Sequence, residues 1–331
     1  QVLRGRNREV QKASGEDKLL SWIQSRFGGG SSLRNSGGAE GKASLKRAGN
    51  RTNHRPGRRK RGTMMETYQE EERQEALFYT LMGSFVIAWS MYSRIPMPQI
   101  HWTKERMKYT MCFFPLIGVL IGAAVAGFVF LSEKLGAGEI FTALVGTALP
   151  LVITGGIHMD GFLDTTDARR SFLPRERKLE ILKDPHAGAF AIAGCGVYLL
   201  FYAAAFSELS PEAFPGIAGV FVMSRALSGY SVVTFPKAKK DGLVTAFAKG
   251  ASQAPTAVSG ILLCWLAGSF FWILLTGGLV MALVAGAGAA AAFLWYRRMA
   301  LQEFGGITGD LAGYFLQMAE LFMIGAAALA G

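Results

Sequence analysis

Apolar residues in this chain fall in long unbroken blocks, not in the two-residue alternation of strands. The blocks cover 111–131, 138–157, 187–206, 213–234, 257–276, 278–296 and 312–330. At about 1.5 Å of rise per residue, roughly twenty apolar residues in a helix match the hydrocarbon thickness of a bilayer. Seven transmembrane helices are predicted. An earlier block, Leu77 to Tyr92, is too short to span and reads as a half-crossing or interfacial helix. Ser93-Arg94-Ile95-Pro96-Met97-Pro98 ends it and leaves Arg94 at the membrane edge. The fold class expected is all-α, a polytopic integral membrane bundle of about seven spans plus the half-crossing N-terminal helix.

The polar connections give that bundle a direction. Lys and Arg collect in 94–110, 158–186, 235–256 and 297–311, while Lys134 is the only basic residue in the intervening connections. Basic loops stay on the cytoplasmic side. A multi-pass protein of the bacterial cytoplasmic (inner) membrane is therefore expected, with every polar constellation facing the cytoplasm and the C-terminus outside.

Composition adds a tail to this picture. The chain of 331 residues is 50% hydrophobic, yet residues 1–63 are rich in Arg, Lys, Gly, Ser and Asn. They hold too few apolar residues to offset the entropy of ordering and are expected to be a disordered basic tail, read as an upstream extension in preference to a lipid- or RNA-binding arm, with residues 64–331 forming the membrane-embedded domain. Much of the net charge of +11 sits in this tail, so nucleic acid is not required to explain it. Cys112, Cys195 and Cys264 lie in apolar stretches without a CxxC pair, and read as packing residues.

Chemistry concentrates in Gly155-Gly156-Ile157-His158-Met159-Asp160-Gly161-Phe162-Leu163-Asp164-Thr165-Thr166-Asp167-Ala168-Arg169-Arg170. On a helix Asp160, Asp164 and Asp167 share one face at i, i+4 and i+7. Stacked carboxylates repel unless a cation lies among them, and an all-oxygen set suits Mg²⁺ or Mn²⁺. An exposed acidic helix start would also carry aspartates. Beside membrane-length segments the metal site is the preferred expectation, because ionisable groups there are usually functional. Three further segments share the face. Lys183-Asp184-Pro185-His186-Ala187-Gly188 offers Asp184 as a metal ligand and His186 as a phosphate contact or proton carrier. The cluster around Lys237 and Lys239 suits phosphate or lipid headgroups. Gly305-Gly306-Ile307-Thr308-Gly309-Asp310 repeats the Gly-Gly-Ile-x-x-Asp of 155–160, so two glycine-flexed helix ends are expected to bring Asp160 and Asp310 to one site. Deeper, Arg225 and Glu320 interrupt apolar spans. They either pair with each other or free Arg225 for a phosphate.

Taken together, Arg94-Ile95-Pro96, Phe113-Phe114-Pro115-Leu116-Ile117-Gly118, the aspartate stretch, Lys183 to Gly188, Arg225 and the closing Gly305 to Asp310 resemble the cobalamin synthase family, also called adenosylcobinamide-GDP ribazoletransferase, from about residue 77 to the end. The resemblance implies a Mg²⁺-dependent membrane transferase of nucleotide-loop assembly. It would join adenosylcobinamide-GDP to α-ribazole or its 5′-phosphate, release GMP and form adenosylcobalamin or its phosphate. Asp160, Asp164, Asp167, Asp184 and Asp310 would supply metal ligands. An aspartate of the cluster is the preferred base, with Asp160, Asp164 and His158 as the catalytic set. Arg94, His158, His186, Arg225, Lys237 and Lys239 would contact phosphate. Expected partners are the two small molecules and membrane lipid, with a homo-oligomer or contact with other cobalamin-pathway enzymes left open. CDP-alcohol phosphotransferases use similar chemistry, but Asp164 stands where their motif carries Ala. A transporter would place its charges at the midplane instead of one face.

Overall fold

The computed structural model describes the backbone of residues 58–330, and side chains from residue 69. The chain divides into two units, 1–70 and 71–331. The expected tail lies almost wholly outside the described residues, although the first helix begins within it, at Arg58. Among the described residues ten helices form and no strand.

The helices are α1 (Arg58–Tyr92), α2 (Thr110–Lys134), α3 (Glu139–Thr154), α4 (Ile157–Arg170), α5 (Arg175–Ile181), α6 (Ala189–Ser207), α7 (Phe214–Thr234), α8 (Leu243–Ala251), α9 (Pro255–Met299) and α10 (Gly309–Ala330). By length and composition α2, α6, α7, α9 and α10 each qualify as membrane spans, and the α3–α4 pair qualifies as a span with a 97° bend. Helix α9 is two helices in fact. Gly278 leaves helical geometry at φ 82°, and a Cβ at Gly286 would stand 3.1 Å from the Phe270 ring. In a straight helix sixteen residues extend about 24 Å. The chain therefore folds back at Gly278, which separates the two blocks expected at 257–276 and 278–296.

Helix α7 is the centre of the bundle. Its glycines and those of α2 let backbones meet: a Cβ at Gly122 would stand 2.7 Å from the Ala218 carbonyl oxygen, and Gly216 and Gly219 receive Met281 and Ile273. Close approach through small residues is the main source of helix affinity in lipid, where apolar burial gives no advantage over the acyl chains. Exposed large apolar side chains such as Phe130, Ile140, Leu200 and Leu275 face outward from the bundle, as a lipid-facing surface requires. Cys112 is buried as expected and Cys195 is half-buried, whereas Cys264 is exposed and so is not the interior packing residue expected of it.

The end of α1 lies across one end of the bundle. Ser84 Oγ donates to the Arg106 carbonyl at 2.6 Å, while the Tyr92 ring, about 12 Å further along the helix, lies tilted 4.2 Å from Phe114 near the start of α2. Both ends of this segment therefore meet the start of the same span, which agrees with a helix that does not cross. The four basic connections converge on this same end. Gln253 Nε2 bonds the Lys104 carbonyl at 2.9 Å, and the Ala238 N–H bonds the Ile307 carbonyl at 3.0 Å.

Candidate active site

Two glycine pairs build the site. Gly155 and Gly156 adopt φ of 67° and 77°, the left-handed region in which a Cβ would crowd the backbone. They end α3 and turn the chain by 97° into α4. As expected, α4 carries Asp160, Asp164 and Asp167 on one face, while Met159, Phe162 and Ala168 are buried on the other. The second pair, Gly305 and Gly306, has φ of 71° and 150° and follows a π-helical turn at Ala300–Phe304. Here the backbone is held from the side. Ile307 N–H donates to the Pro236 carbonyl at 2.9 Å, forming an isolated parallel bridge between Lys237 and Ile307.

The two motifs meet directly. A Cβ on Gly161 would stand 2.7 Å from the Asp310 carbonyl oxygen, and one on Gly313 would stand 3.0 Å from that of His158. With no side chain between them, α4 crosses α10 at backbone contact. Asp310 therefore sits beside the interval between Asp160 and Asp164. Asp160, Asp167, Asp184 and Asp310 all lie within electrostatic reach of Asp164, and Lys239 faces Asp164 and Asp310, with Lys183 near Lys239. Lys237 and Lys239 are partly buried. Burial lowers the Lys237 ammonium to about 8, and lowers Lys239 as well, against the pull of Asp310 and Asp164.

A second layer holds this arrangement, and sequence patterns did not point to its centre. Glu303 accepts from Arg169 at 3.1 Å and from Lys178 at 2.8 Å. Arg169 also donates to Tyr314 Oη at 3.0 Å and lies 5.2 Å over the Trp295 ring. One carboxylate thus ties the end of α4, the start of α5 and the turn that precedes Gly305. Its only sequence signal is an acid two residues before a glycine pair.

Residues 84–328 match the family described as cobalamin-5-phosphate synthase. The chain belongs to this family. An adenosylcobinamide-GDP ribazoletransferase from Lachnoclostridium phytofermentans is 45% identical over 244 residues, covering 72% of this chain and 91% of the relative. Proteins of the same name from Desulfitobacterium hafniense and Treponema denticola are 33% and 31% identical, each covering 96% of the relative and 74% and 73% of this chain. No solved structure matches.

Within this member of the cobalamin-5-phosphate synthase family, the remaining expected residues separate into groups. Both Asp167 oxygens accept backbone N–H groups, from Gly188 and from Ala191 at 2.9 Å, so this carboxylate caps the start of α6. Asp184 accepts from the backbone N–H of its neighbour His186 at 3.0 Å and lies 2.8 Å from its Nδ1, and the His186 ring is exposed. Arg94 is exposed and held by its backbone, whose N–H bonds the Ile153 carbonyl at 2.8 Å just before the first glycine pair. His158 is buried, stacked 5.7 Å from Tyr92 and with the tilted Phe114 ring also at 5.7 Å, and neither ring nitrogen is bonded to a partner among the described residues. Arg225 is enclosed in the bundle and bonds Glu320, Ser224 Oγ and the Phe221 carbonyl. Of the two expectations for Arg225, this is the pairing; the guanidinium faces α10 and not the acidic face. Carboxylate oxygens are the right donors for Mg²⁺. Among the described residues, however, no three acidic, histidine or cysteine side chains are gathered closely enough to form a ready metal cluster. The donor chemistry fits such an ion, while the carboxylates converge as an open acidic face.

Proposed function

We infer that the acidic face shared by α4 and the start of α10 is the diphosphate site of a ribazoletransferase. The chain is an enzyme of cobalamin synthesis that joins adenosylcobinamide-GDP to α-ribazole. The ribazole 5′-oxygen attacks the phosphorus nearest the cobinamide, the bond from that phosphorus to the GMP oxygen breaks, and GMP leaves. This demands in-line placement, compensation of the diphosphate charge and removal of one proton.

Asp160, Asp164 and Asp310 are the proposed holders of Mg²⁺. When bound, such an ion would neutralise diphosphate oxygens and stabilise the leaving phosphate of GMP. Lys237 and Lys239 would bind the phosphates from the facing loop, with Arg94 and His186 at the rim. An α4 aspartate is proposed to accept the 5′-hydroxyl proton. His158 contacts the substrate only if the aromatic residues around it part, so it ranks behind the aspartates. Asp167 holds the frame. The observation that carries this proposal is the contact of Gly161 with the Asp310 backbone, which makes two distant motifs a single acidic face. The basic loops support an inner-membrane protein with this face toward the cytoplasm.

The test is GMP release by the purified protein from adenosylcobinamide-GDP and α-ribazole or its phosphate, with and without Mg²⁺. Release that requires both substrates and the metal is expected. Release unaffected by chelation would remove the metal from the proposal, and release without the ribazole would make the protein a hydrolase.

A further inference from the structure

The elbow between α4 and α5 departs from every other turn at this end of the bundle. Phe172 takes φ 54°, the only positive φ at a non-glycine residue among the described residues. That position after a helix usually falls to glycine, because a Cβ there crowds the next carbonyl oxygen. The turn is nevertheless well held: Ser171 Oγ donates to the Ala168 carbonyl at 2.7 Å and accepts from the Leu173 N–H at 3.3 Å. What this strained turn presents is an aromatic ring 85% exposed, followed by Leu173 at 46%.

Its depth can be read from its neighbours. Arg169, three residues earlier, lies over Trp295, which belongs to the last turns of α9 before Arg297 and Arg298. Trp and Arg at the end of an apolar span mark the boundary between acyl chains and headgroups. Leu294, beside Trp295, is exposed on the outer surface of the bundle. Since α4 leaves α3 at 97°, it runs along the polar end and carries the elbow toward this rim.

The charges around the tip are unequal in use. Glu303 takes Arg169 and Lys178, and Glu180 takes Arg177 at 2.6 Å. Arg170 and Arg175 are exposed and, among the described residues, have no carboxylate partner in a salt bridge. The Arg175 guanidinium also covers Gly305, the first glycine of the second motif.

We propose that the Phe172-Leu173 tip inserts into the headgroup layer of the surrounding bilayer, and that Arg170 and Arg175 bind anionic lipid headgroups beside it. An apolar tip inside a ring of cations fits an anionic membrane surface better than a neutral one. The anchor would hold the far end of the helix that bears Asp160 and Asp164.

The test places a spin label at Leu173→Cys, with Cys112, Cys195 and Cys264 replaced by Ala. The full chain is reconstituted in nanodiscs of phosphatidylcholine, with or without phosphatidylglycerol. The label is expected to be more accessible to oxygen than to a water-soluble nickel chelate, unlike a control label at Glu180→Cys. The difference should grow with phosphatidylglycerol and shrink several-fold in Arg170→Gln/Arg175→Gln. A label that behaves like the Glu180 control in both lipids overturns the insertion and leaves the tip as a protein-docking surface. Insertion with no response to phosphatidylglycerol overturns the anionic-headgroup part. Phe172→Gly separates anchoring from folding. It relieves the positive φ, so it should not lower thermal stability in detergent while removing the phosphatidylglycerol response; a loss of stability in detergent would make Phe172 a folding residue.

Discussion

The same six-residue pattern, Gly-Gly-Ile-x-x-Asp, occurs at 155–160 and at 305–310, and its two copies do different mechanical work. The first is a hinge in open space. Nothing lies within 4 Å of a Cβ on Gly156, and the pair acts by bending α3 into α4. The second is clamped. A Cβ on Gly306 would stand 2.6 Å from the Ala238 nitrogen, and Glu303 fixes the turn before it through Arg169 and Lys178. Gly156 in the first copy serves conformation alone, whereas Gly306 in the second serves both conformation and contact. A carboxylate from a hinge and one from a clamp then meet across Gly161.

The sharpest way to break that meeting is to remove charge without changing shape. Asp164→Asn should lower the rate of GMP release about 1,000-fold, the scale of losing an electrostatic group at a transferring phosphate. The protein should remain membrane-inserted with an unchanged elution profile. Near-normal turnover would mean that the acidic face is not where the diphosphate reacts.

Substituting the glycines compares hinge and clamp directly. Gly306→Ala must move backbone atoms of residues 236–238 and should cost about 3 kcal/mol. Gly156→Ala meets only the left-handed penalty at φ 77° and should cost about 1 kcal/mol. Thermal inactivation midpoints in one detergent give the order. If Gly156→Ala proved the worse of the two, the first motif would be packed against something that the open hinge does not show.

Glu303→Gln loosens the clamp while keeping every helix. The Glu303 side chain is about a quarter exposed, so its two ion pairs are screened, and the stability cost should be about 1 kcal/mol. Turnover should fall more than that suggests, about tenfold, because a small displacement of Asp310 spoils alignment. Restoration by Glu303→Asp would support positioning; equal loss in stability and turnover would reduce Glu303 to a structural brace.

The apolar spans and the aspartate face of α4 were legible in the sequence because block length and the i, i+4, i+7 spacing are local. Gly277-Gly278 likewise divided two apolar blocks that the backbone separates as a tight reversal. The glycine pair at 155–156 marked a flexed helix end, but the 97° size of the bend was not legible, since an apolar run up to the pair does not set an angle. Nor was Glu303, whose partners stand 134 and 125 positions away. Asp167 illustrates a different limit. Its spacing grouped it with the metal ligands, whereas its bonds go to backbone N–H groups at the start of α6, donors that carry no residue signature.

The smallest expected effect distinguishes the motifs by pH, because only the second is bridged to a buried-side lysine. Lys237 ionises near 8, against an ordinary value of 10.5, because burial disfavours its charge. As pH rises through about 8 the folded protein should lose this positive charge, and the KM for adenosylcobinamide-GDP should rise a few-fold. Stability should move the other way. Between about 8 and 10.5 the unfolded chain still holds the proton that the folded chain has released, so folding gains with pH over that window. Weaker binding together with greater stability is a pattern that general alkaline damage would not produce. Lys237→Arg keeps its charge through this range and should remove the rise in KM. A rise that persists in Lys237→Arg would transfer the titration to Lys239, which burial lowers as well but which Asp310 and Asp164 pull back up.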